Sequence, residues 1–172
     1  MRITSVLVFY LLAVGIMRAA PRADLTAKNL DGQKVRLKEM RGNLVVLNFW
    51  ATWCGPCKEE MPMLVRIAKE NPMPGLKFIA VSVDDRETQD KVGEMARHFG
   101  ISFPVWVGAN ADDLYRLSNG EALPATIFID RDGTIVARVS GEIRESELKD
   151  RISWLTGDRS GKAPEEFVSH AK

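Results

Sequence analysis

The chain has 172 residues, of which 45% are hydrophobic and 27% charged, and its formal net charge is +1. This near-neutral balance does not favour a nucleic-acid-binding protein or a polybasic surface that binds membranes. The length fits one domain, and the sequence has neither internal repeats nor low-complexity segments.

The first residues have the layout of a secretory leader. Arg2 is followed by an apolar run over residues 6–17 and then by small residues, an order typical of a signal peptide. Pro21 disfavours cleavage close to it, and residues 3–20 approach the ~20 apolar residues of a membrane span. We therefore expect export, with residues 1–20 acting as a signal peptide or as an N-terminal membrane anchor.

The segment after this leader predicts a β-hairpin and then a buried strand. An Asp-Gly pair lies between extended segments at residues 24–29 and 35–37, which is typical of a hairpin. A short helical turn at 37–42 precedes the strand at 44–50. That strand is apolar on both faces, as expected where helices cover both sides of a sheet.

Helix and strand then alternate, which predicts a parallel β pair in an α/β fold. The predicted elements are a helix over about 56–71 that Pro62 should kink, a buried strand at 76–83, and a helix at 87–99 capped by Asp84 and Asp85.

The second half predicts shorter elements and a closing helix. They are a strand at 103–107, a helix at 112–117, two antiparallel strands at 125–130 and 134–140, and a helix at 145–155. The polar residues 157–172 are expected to form a loosely held, flexible C-terminal tail.

The only two cysteines, Cys54 and Cys57, lie between the buried strand and the helix that follows it. The plain interpretation is a reversible dithiol/disulfide couple. A zinc site is one alternative, but the sequence has no second CxxC and its only histidines, His98 and His170, are distant in sequence. A pair of inert buried cysteines is the other alternative. Against it, a helix N-terminus favours a thiolate at the first cysteine, and Pro56 suits the first helical turn.

The run WCGPC, residues 53–57, resembles the active-site pentapeptide of the thioredoxin superfamily. The longer run LVVLNFWATWCGPCKEEMP, residues 44–62, resembles the TlpA/ResA-like extracytoplasmic branch, which includes cytochrome c maturation reductases. The resemblance implies an α/β thioredoxin fold over residues 24–156. Its central mixed β-sheet would be flanked by helices, with an N-terminal β-hairpin and a short insertion in the core.

The resemblance also implies roles for individual residues. Cys54 is the expected nucleophile and Cys57 the resolving cysteine. Asn48 stands where thioredoxin has a buried aspartate, and Glu60 matches the glutamate that ResA-like proteins carry three residues after the second cysteine. Glu60 is the candidate acceptor of the Cys57 proton, and its alternative is a solvated helix residue.

Other residues are expected to support the cysteines or bind the substrate. Trp53, Gly55 and Pro56 surround them in the motif. An X-Pro bond is trans by default, whereas the resemblance implies a cis bond at Leu123-Pro124, with the Leu123 backbone free to pair with an extended substrate strand. An ordinary proline at the start of a strand is the alternative.

The implied activity is reduction of disulfides in target proteins in the periplasm or another extracytoplasmic space, with no cofactor and no metal. Apocytochrome c is one candidate target, and a membrane thiol carrier is the expected electron donor. The reducing direction rests on Gly55-Pro56, which thioredoxin shares, whereas oxidants of this fold usually carry a histidine there.

Three alternatives stay open. One is a disulfide-donating oxidase or isomerase. Another is a Cu(I)-handling metallochaperone, suggested by Met61, Met63 and Met73 near the cysteines. The third is a peroxide-reducing relative, although the expected ProThrxxCys context is missing before Cys54.

Overall fold

The computed structural model describes residues 22–171, whose eight strands form one mixed sheet. The strands are β1 (Thr26–Asn29), β2 (Lys34–Arg36), β3 (Leu44–Trp50), β4 (Leu76–Ser82), β5 (Val105–Val107), β6 (Ala125–Ile129), β7 (Ile135–Ser140) and β8 (Phe167–Ser169). Across the sheet they run in the order β2-β1-β5-β4-β3-β6-β7-β8.

Four α-helices and two 3₁₀-helical turns connect these strands. The helices are α1 (Gly55–Glu70), α2 (Val92–His98), α3 (Ala111–Ser118) and α4 (Glu145–Thr156), and the turns are Leu37–Met40 and Gln89–Lys91. The predicted α/β class is confirmed, and most boundaries differ from the predicted ones by one or two residues.

Strand β3 is the centre of the sheet, and all seven of its residues are buried. It pairs in parallel with β4 and antiparallel with β6, which confirms the predicted parallel pair and the mixed sheet. Its side chains alternate between two cores: Val46 and Trp50 pack on the same side as α1, while Leu47 and Phe49 pack on the opposite side. The sheet is therefore covered on both faces, as its apolar sequence predicts.

Both predicted hairpins are present. Strands β1 and β2 pair antiparallel at the start of the described chain, and β6 and β7 pair antiparallel in its second half. In the first turn, Gly32 takes a φ of 80°, a left-handed conformation that glycine adopts without a steric penalty.

Helix α1 begins one residue before its predicted start, because Cys54 is the N-cap residue and Gly55 the first helical one. Pro62 lies inside this helix, which continues through it to Glu70. Its buried side chains form the stripe that faces the sheet, namely Cys57, Glu60, Met61, Leu64, Val65 and Ile67.

The prediction that Asp84 and Asp85 cap a helix starting near residue 87 is wrong. The regular helix α2 begins only at Val92, and no side chain caps it. Asp85 accepts hydrogen bonds within an exposed turn before it, while Asp84 is buried and bonds Thr52 instead. The carboxylate of Asp84 is therefore committed to the neighbouring loop and cannot serve as a helix cap.

The predicted loose tail also needs correction, because Phe167–Ser169 forms β8 and pairs in parallel with β7. The pairing covers backbone groups of β7 that would otherwise lie at a sheet edge. His170, the residue after β8, fixes the end of this strand. Its backbone N–H donates to the Ser140 carbonyl at 2.7 Å, and its ring lies 2.9 Å from a Glu147 carboxylate oxygen.

The predicted signal peptide or membrane anchor, residues 1–20, lies outside the described residues. Within residues 22–171, no helix has the length and apolar character needed to cross a membrane.

Gly141 provides a test of how the residues that follow β8 pack against the end of β7. It has a φ of 86°, and a Cβ built on it would lie 2.7 Å from the Ala171 nitrogen. Gly32 has a similar φ of 80°, with no atom within 4 Å of such a Cβ. We expect Gly32→Ala to lower the free energy of unfolding by ~1 kcal/mol through conformation alone. Gly141→Ala should lower the free energy of unfolding by roughly 3 kcal/mol, because the new Cβ also overlaps the Ala171 backbone.

Urea unfolding of both variants measures this difference. Equal losses of stability would show that His170 and Ala171, which follow β8, do not pack against Gly141 in solution.

Candidate functional site

The two cysteines lie where β3 passes into α1 and form a disulfide with Cα atoms 5.3 Å apart. Cys54 is the N-cap of the helix, and its Sγ accepts a hydrogen bond from the Cys57 N–H at 3.2 Å. Unpaired N–H groups and the helix dipole favour negative charge at this position. The site therefore favours a thiolate at Cys54 once the disulfide is reduced.

The residues between and before the cysteines shape the surface of the site. Cys54 is 5% and Cys57 1% exposed, whereas Trp53 is 60% exposed. Pro56 occupies the first turn of α1, as predicted, and Gly55 is exposed. Trp53 is not a core residue, and it presents an apolar ring directly before the nucleophile expected from the sequence.

Glu60 is buried, so the alternative of a solvated helix residue is wrong. It is 2% exposed, and it lies one helical turn after Cys57 on the buried stripe of α1. One carboxylate oxygen accepts from Asn48 Nδ2 at 2.7 Å, and the other accepts from the Ile143 N–H at 2.6 Å.

Burial raises the pKa of Glu60 to about 8, because a carboxylate loses its hydration inside the protein. The hydrogen bonds from Ile143 and Asn48 partly oppose this rise, and the negative charge of Glu142 adds to it. The resulting pKa lies close to the ~8.5 of an ordinary cysteine thiol. Proton exchange between Glu60 and a thiol would therefore be nearly balanced in free energy.

Asn48 points from β3 toward the helix that carries the cysteines. Its amide N–H groups donate to Glu60 and, at 3.1 Å, to the Thr126 hydroxyl. Its Oδ1 is buried and has no hydrogen-bond partner among the described residues. A carboxylate at this position would lie against Glu60, so the amide avoids placing two acidic groups in contact.

The Leu123-Pro124 bond is cis, in agreement with the expectation from the resemblance. Phe49 pairs with Ala125, which puts this proline at the end of the sheet where the cysteines lie. The Pro124 carbonyl accepts a hydrogen bond from the Gly141 N–H at 2.8 Å. The cis-proline segment is therefore held by the chain that leaves β7.

Sequence reasoning missed the segment at the end of β7, residues 140–143. Through Gly141 it holds the cis-proline peptide, and through Ile143 it donates to Glu60. These contacts are made by backbone N–H groups, which carry no residue-type signature. Only the register of β6 and β7 could have pointed to them.

A cleft of about 850 Å³ lies between α4 and the C-terminal segment, lined by residues that include Trp154 and Arg159. Neither cysteine lines that cleft. Among residues 22–171, no three His, Cys, Asp or Glu side chains are gathered in a way that could hold a metal ion.

The chain matches the AhpC/TSA family over residues 16–138. It belongs to this family. The thiol-disulfide oxidoreductase ResA of Bacillus cereus is 33% identical over 141 residues, covering 82% of this chain and 79% of ResA. The ResA of Bacillus subtilis (strain 168) is 30% identical over 149 residues, covering 85% of this chain and 80% of that protein.

A solved structure supports the fold. The thiol:disulfide interchange protein from Chlorobium tepidum TLS, a thioredoxin family protein, superimposes with a TM-score of 0.67 at 22% identity, covering 80% of this chain and 97% of its own. Together with the Cys54–Cys57 disulfide and the ResA relatives, the geometry identifies a thiol-disulfide oxidoreductase with a thioredoxin-like fold.

The raised pKa of Glu60 makes stability depend on pH. Since the folded protein holds this proton up to about pH 8 and the unfolded chain releases it near pH 4.3, the stabilisation is complete below the lower value and is lost as pH rises toward 8. We expect the free energy of unfolding to fall across this window with a slope of up to ~1.4 kcal/mol per pH unit.

Urea unfolding at several pH values, with and without Glu60→Gln, isolates this contribution. The variant should lose the slope, whereas Glu59→Gln, which alters an exposed neighbour, should keep it. A slope that persists in Glu60→Gln would assign the titration to another group.

Proposed function

We propose that this oxidoreductase is an exported reductase of protein disulfides. The observation that carries the proposal is a cysteine pair at a helix N-terminus with a buried carboxyl group one turn away on the same helix face. The first feature favours a nucleophilic thiolate, and the second supplies a proton acceptor for the other thiol.

The reaction proceeds in two exchanges. The Cys54 thiolate attacks one sulfur of the target disulfide, forms a mixed disulfide and releases the other target sulfur as a thiolate. Cys57 then attacks Cys54 Sγ, closes the Cys54–Cys57 disulfide and releases the second target thiolate. Two electrons pass from the cysteine pair to the target, so no organic cofactor is required.

Glu60 acts in the second exchange. Cys57 is 1% exposed, so its thiol has little access to solvent bases. In its ionised form Glu60 accepts the Cys57 proton as the sulfur attacks, and because its pKa of about 8 is close to that of a thiol, this form becomes abundant only as the pH approaches 8. Asn48 Nδ2 donates to the ionised Glu60 carboxylate. A flip of the Asn48 amide would place Oδ1 where it accepts a hydrogen bond from protonated Glu60.

Target proteins bind at the surface around Cys54. The exposed Trp53 supplies apolar contact area, and the Leu123 backbone beside the cis-proline pairs with an extended segment of the target. A disulfide in an extended or locally unfolded chain therefore suits this site better than one inside a rigid core.

The cellular setting follows from the sequence. The leader over residues 1–20 directs the protein to the periplasm or another extracytoplasmic space, either released or tethered through residues 3–20. A membrane thiol carrier re-reduces the cysteine pair there. Apocytochrome c is one target with accessible cysteines.

The reduction potential of Cys54–Cys57 tests the direction of electron flow. The purified domain is equilibrated with glutathione or dithiothreitol buffers. Its dithiol and disulfide forms are then separated after alkylation of the free thiols. We expect a potential near the about −270 mV of thioredoxin. A value near the about −120 mV of DsbA would show a disulfide donor instead.

The metallochaperone alternative has its own outcome. Turnover of a protein disulfide with a regenerating reductant would exclude a purely binding role. Stoichiometric Cu(I) retained through gel filtration without such turnover would overturn the reductase proposal.

Replacing Glu60 by glutamine tests the proton acceptor. We expect Glu60→Gln to slow resolution of the mixed disulfide near pH 8 by about 10²-fold, because a general base that is about half ionised at that pH is lost. Formation of the mixed disulfide by Cys54 should change little. Single-turnover release of the first and of the second target thiol, followed from pH 6 to 10, measures the two steps separately.

Glu59→Gln is the matched control, since it removes an exposed carboxylate from the neighbouring position. A pH–rate profile for Glu60→Gln that superimposes on that of the wild type would remove Glu60 from the mechanism.

A further inference from the structure

A second buried carboxyl group, that of Asp84, contacts the turn that leads into the cysteine pair. Trp50 pairs with Ser82 in the parallel register of β3 and β4, and the Val83 N–H donates to the Trp50 carbonyl at 3.0 Å. Two residues beyond this pair, Thr52 and Asp84 meet at the same edge of the sheet. The contact follows from the register and joins residues 32 apart in sequence.

Asp84 is fully engaged with hydrogen-bond donors. Its Oδ2 accepts from the Thr52 N–H at 2.9 Å and from the Ser82 hydroxyl at 2.8 Å, and its Oδ1 accepts from the Thr52 hydroxyl at 2.5 Å. The residue is 2% exposed. Within residues 22–171, none of the ion pairs includes Asp84.

Burying a carboxylate without a nearby cation costs free energy of folding. The groups that Asp84 contacts therefore indicate its role in the structure. Two of its three donors belong to Thr52, in the turn between β3 and α1. That turn is closed by the Cys54 N–H, which donates to the Ala51 carbonyl at 3.1 Å. Asp84 thus fixes both the backbone and the side chain of the residue two before the first cysteine.

We propose that Asp84 is a positioning residue for the Cys54–Cys57 couple. It acts through Thr52 to hold the turn in the shape that brings the two sulfurs together, and its negative charge disfavours a Cys54 thiolate in the reduced protein. Both effects favour the disulfide over the dithiol, which makes the couple a stronger reductant.

The first effect is geometric. A disulfide forms readily when its two thiols are already held close, and a rigid turn maintains that proximity. Loosening the turn lowers the tendency of the pair to close and therefore favours the dithiol.

The second effect is electrostatic. Asp84 bonds Thr52, two residues before Cys54, and a carboxylate there destabilises a Cys54 thiolate more than a neutral amide would. A less stable thiolate makes the reduced protein less favoured. The two effects therefore have the same sign.

The test is the equilibrium of the cysteine pair with glutathione. In this reaction the protein disulfide takes two electrons from two glutathione thiols, which yields the protein dithiol and one glutathione disulfide. The readout is independent of the proposed direction of target turnover, because it measures only the couple. Its failure is thus separate from a failure of the proposed reductase function.

We expect Asp84→Asn to increase the equilibrium constant for reduction by about tenfold, which corresponds to about 30 mV for a two-electron couple. Thr52→Val keeps the charge and removes one hydrogen bond, so a smaller increase of about threefold is expected, in line with a single neutral hydrogen bond. Asp85→Asn is the matched control, since it makes the same chemical change at the adjacent, exposed residue, and it should leave the constant unchanged.

The pH dependence of Cys54 alkylation separates the two effects. Asp84→Asn should lower the apparent pKa of the Cys54 thiol, and Thr52→Val should leave it in place. A residue that only stabilises the fold would lower the urea midpoint without moving the equilibrium constant or the alkylation profile.

An equilibrium constant for folded Asp84→Asn that equals the wild-type value, or that falls, would overturn the proposal. If Asp84→Asn does not fold, Thr52→Val decides, and an unchanged constant in that variant would overturn the positioning role.

Discussion

The in-register parallel pairing of β3 and β4 is the constraint on which the site depends. Parallel strands place their carboxyl ends at one edge of a sheet, and this edge is where open α/β sheets carry their chemistry. Trp50 opposite Ser82 fixes where both strands end. The turn that leads to Cys54 leaves β3 at that edge, and Asp84 follows β4 at the same edge. A shift of one residue in register would therefore separate Asp84 from the turn.

Two buried carboxyl groups, one on the helix that carries the disulfide and one bonded to the turn before it, are held by different sets of donors. Asp84 accepts three hydrogen bonds, two of them from a single turn residue. Glu60 accepts two, and its buried carboxyl has a pKa raised to about 8. The first arrangement suits a fixed charge that shapes the loop. The second suits an acid that gives and takes a proton near neutral pH, because its two protonation states have similar free energies.

The sequence predicts the parts of this site that have local signatures. The apolar run of β3, the helix after it and the two cysteines between them are readable from composition and spacing, and the resemblance supplied the cis-proline. The contacts of Ile143 with Glu60 and of Asp84 with Thr52 join residues 83 and 32 positions apart. They depend on strand register, which the sequence does not state.

The segment at residues 140–143 links parts of the molecule that are distant in sequence. The Ser140 carbonyl accepts a hydrogen bond from His170, the residue after β8. The Gly141 N–H donates to the Pro124 carbonyl, and the Ile143 N–H donates to Glu60. The position of the proposed proton acceptor therefore depends on where β7 ends, and β8 helps to fix that end. The C-terminal segment, predicted from its polar sequence to be loosely held, thus supports the geometry on which the proposed proton transfer relies, because displacing it would release the short segment that bonds Glu60.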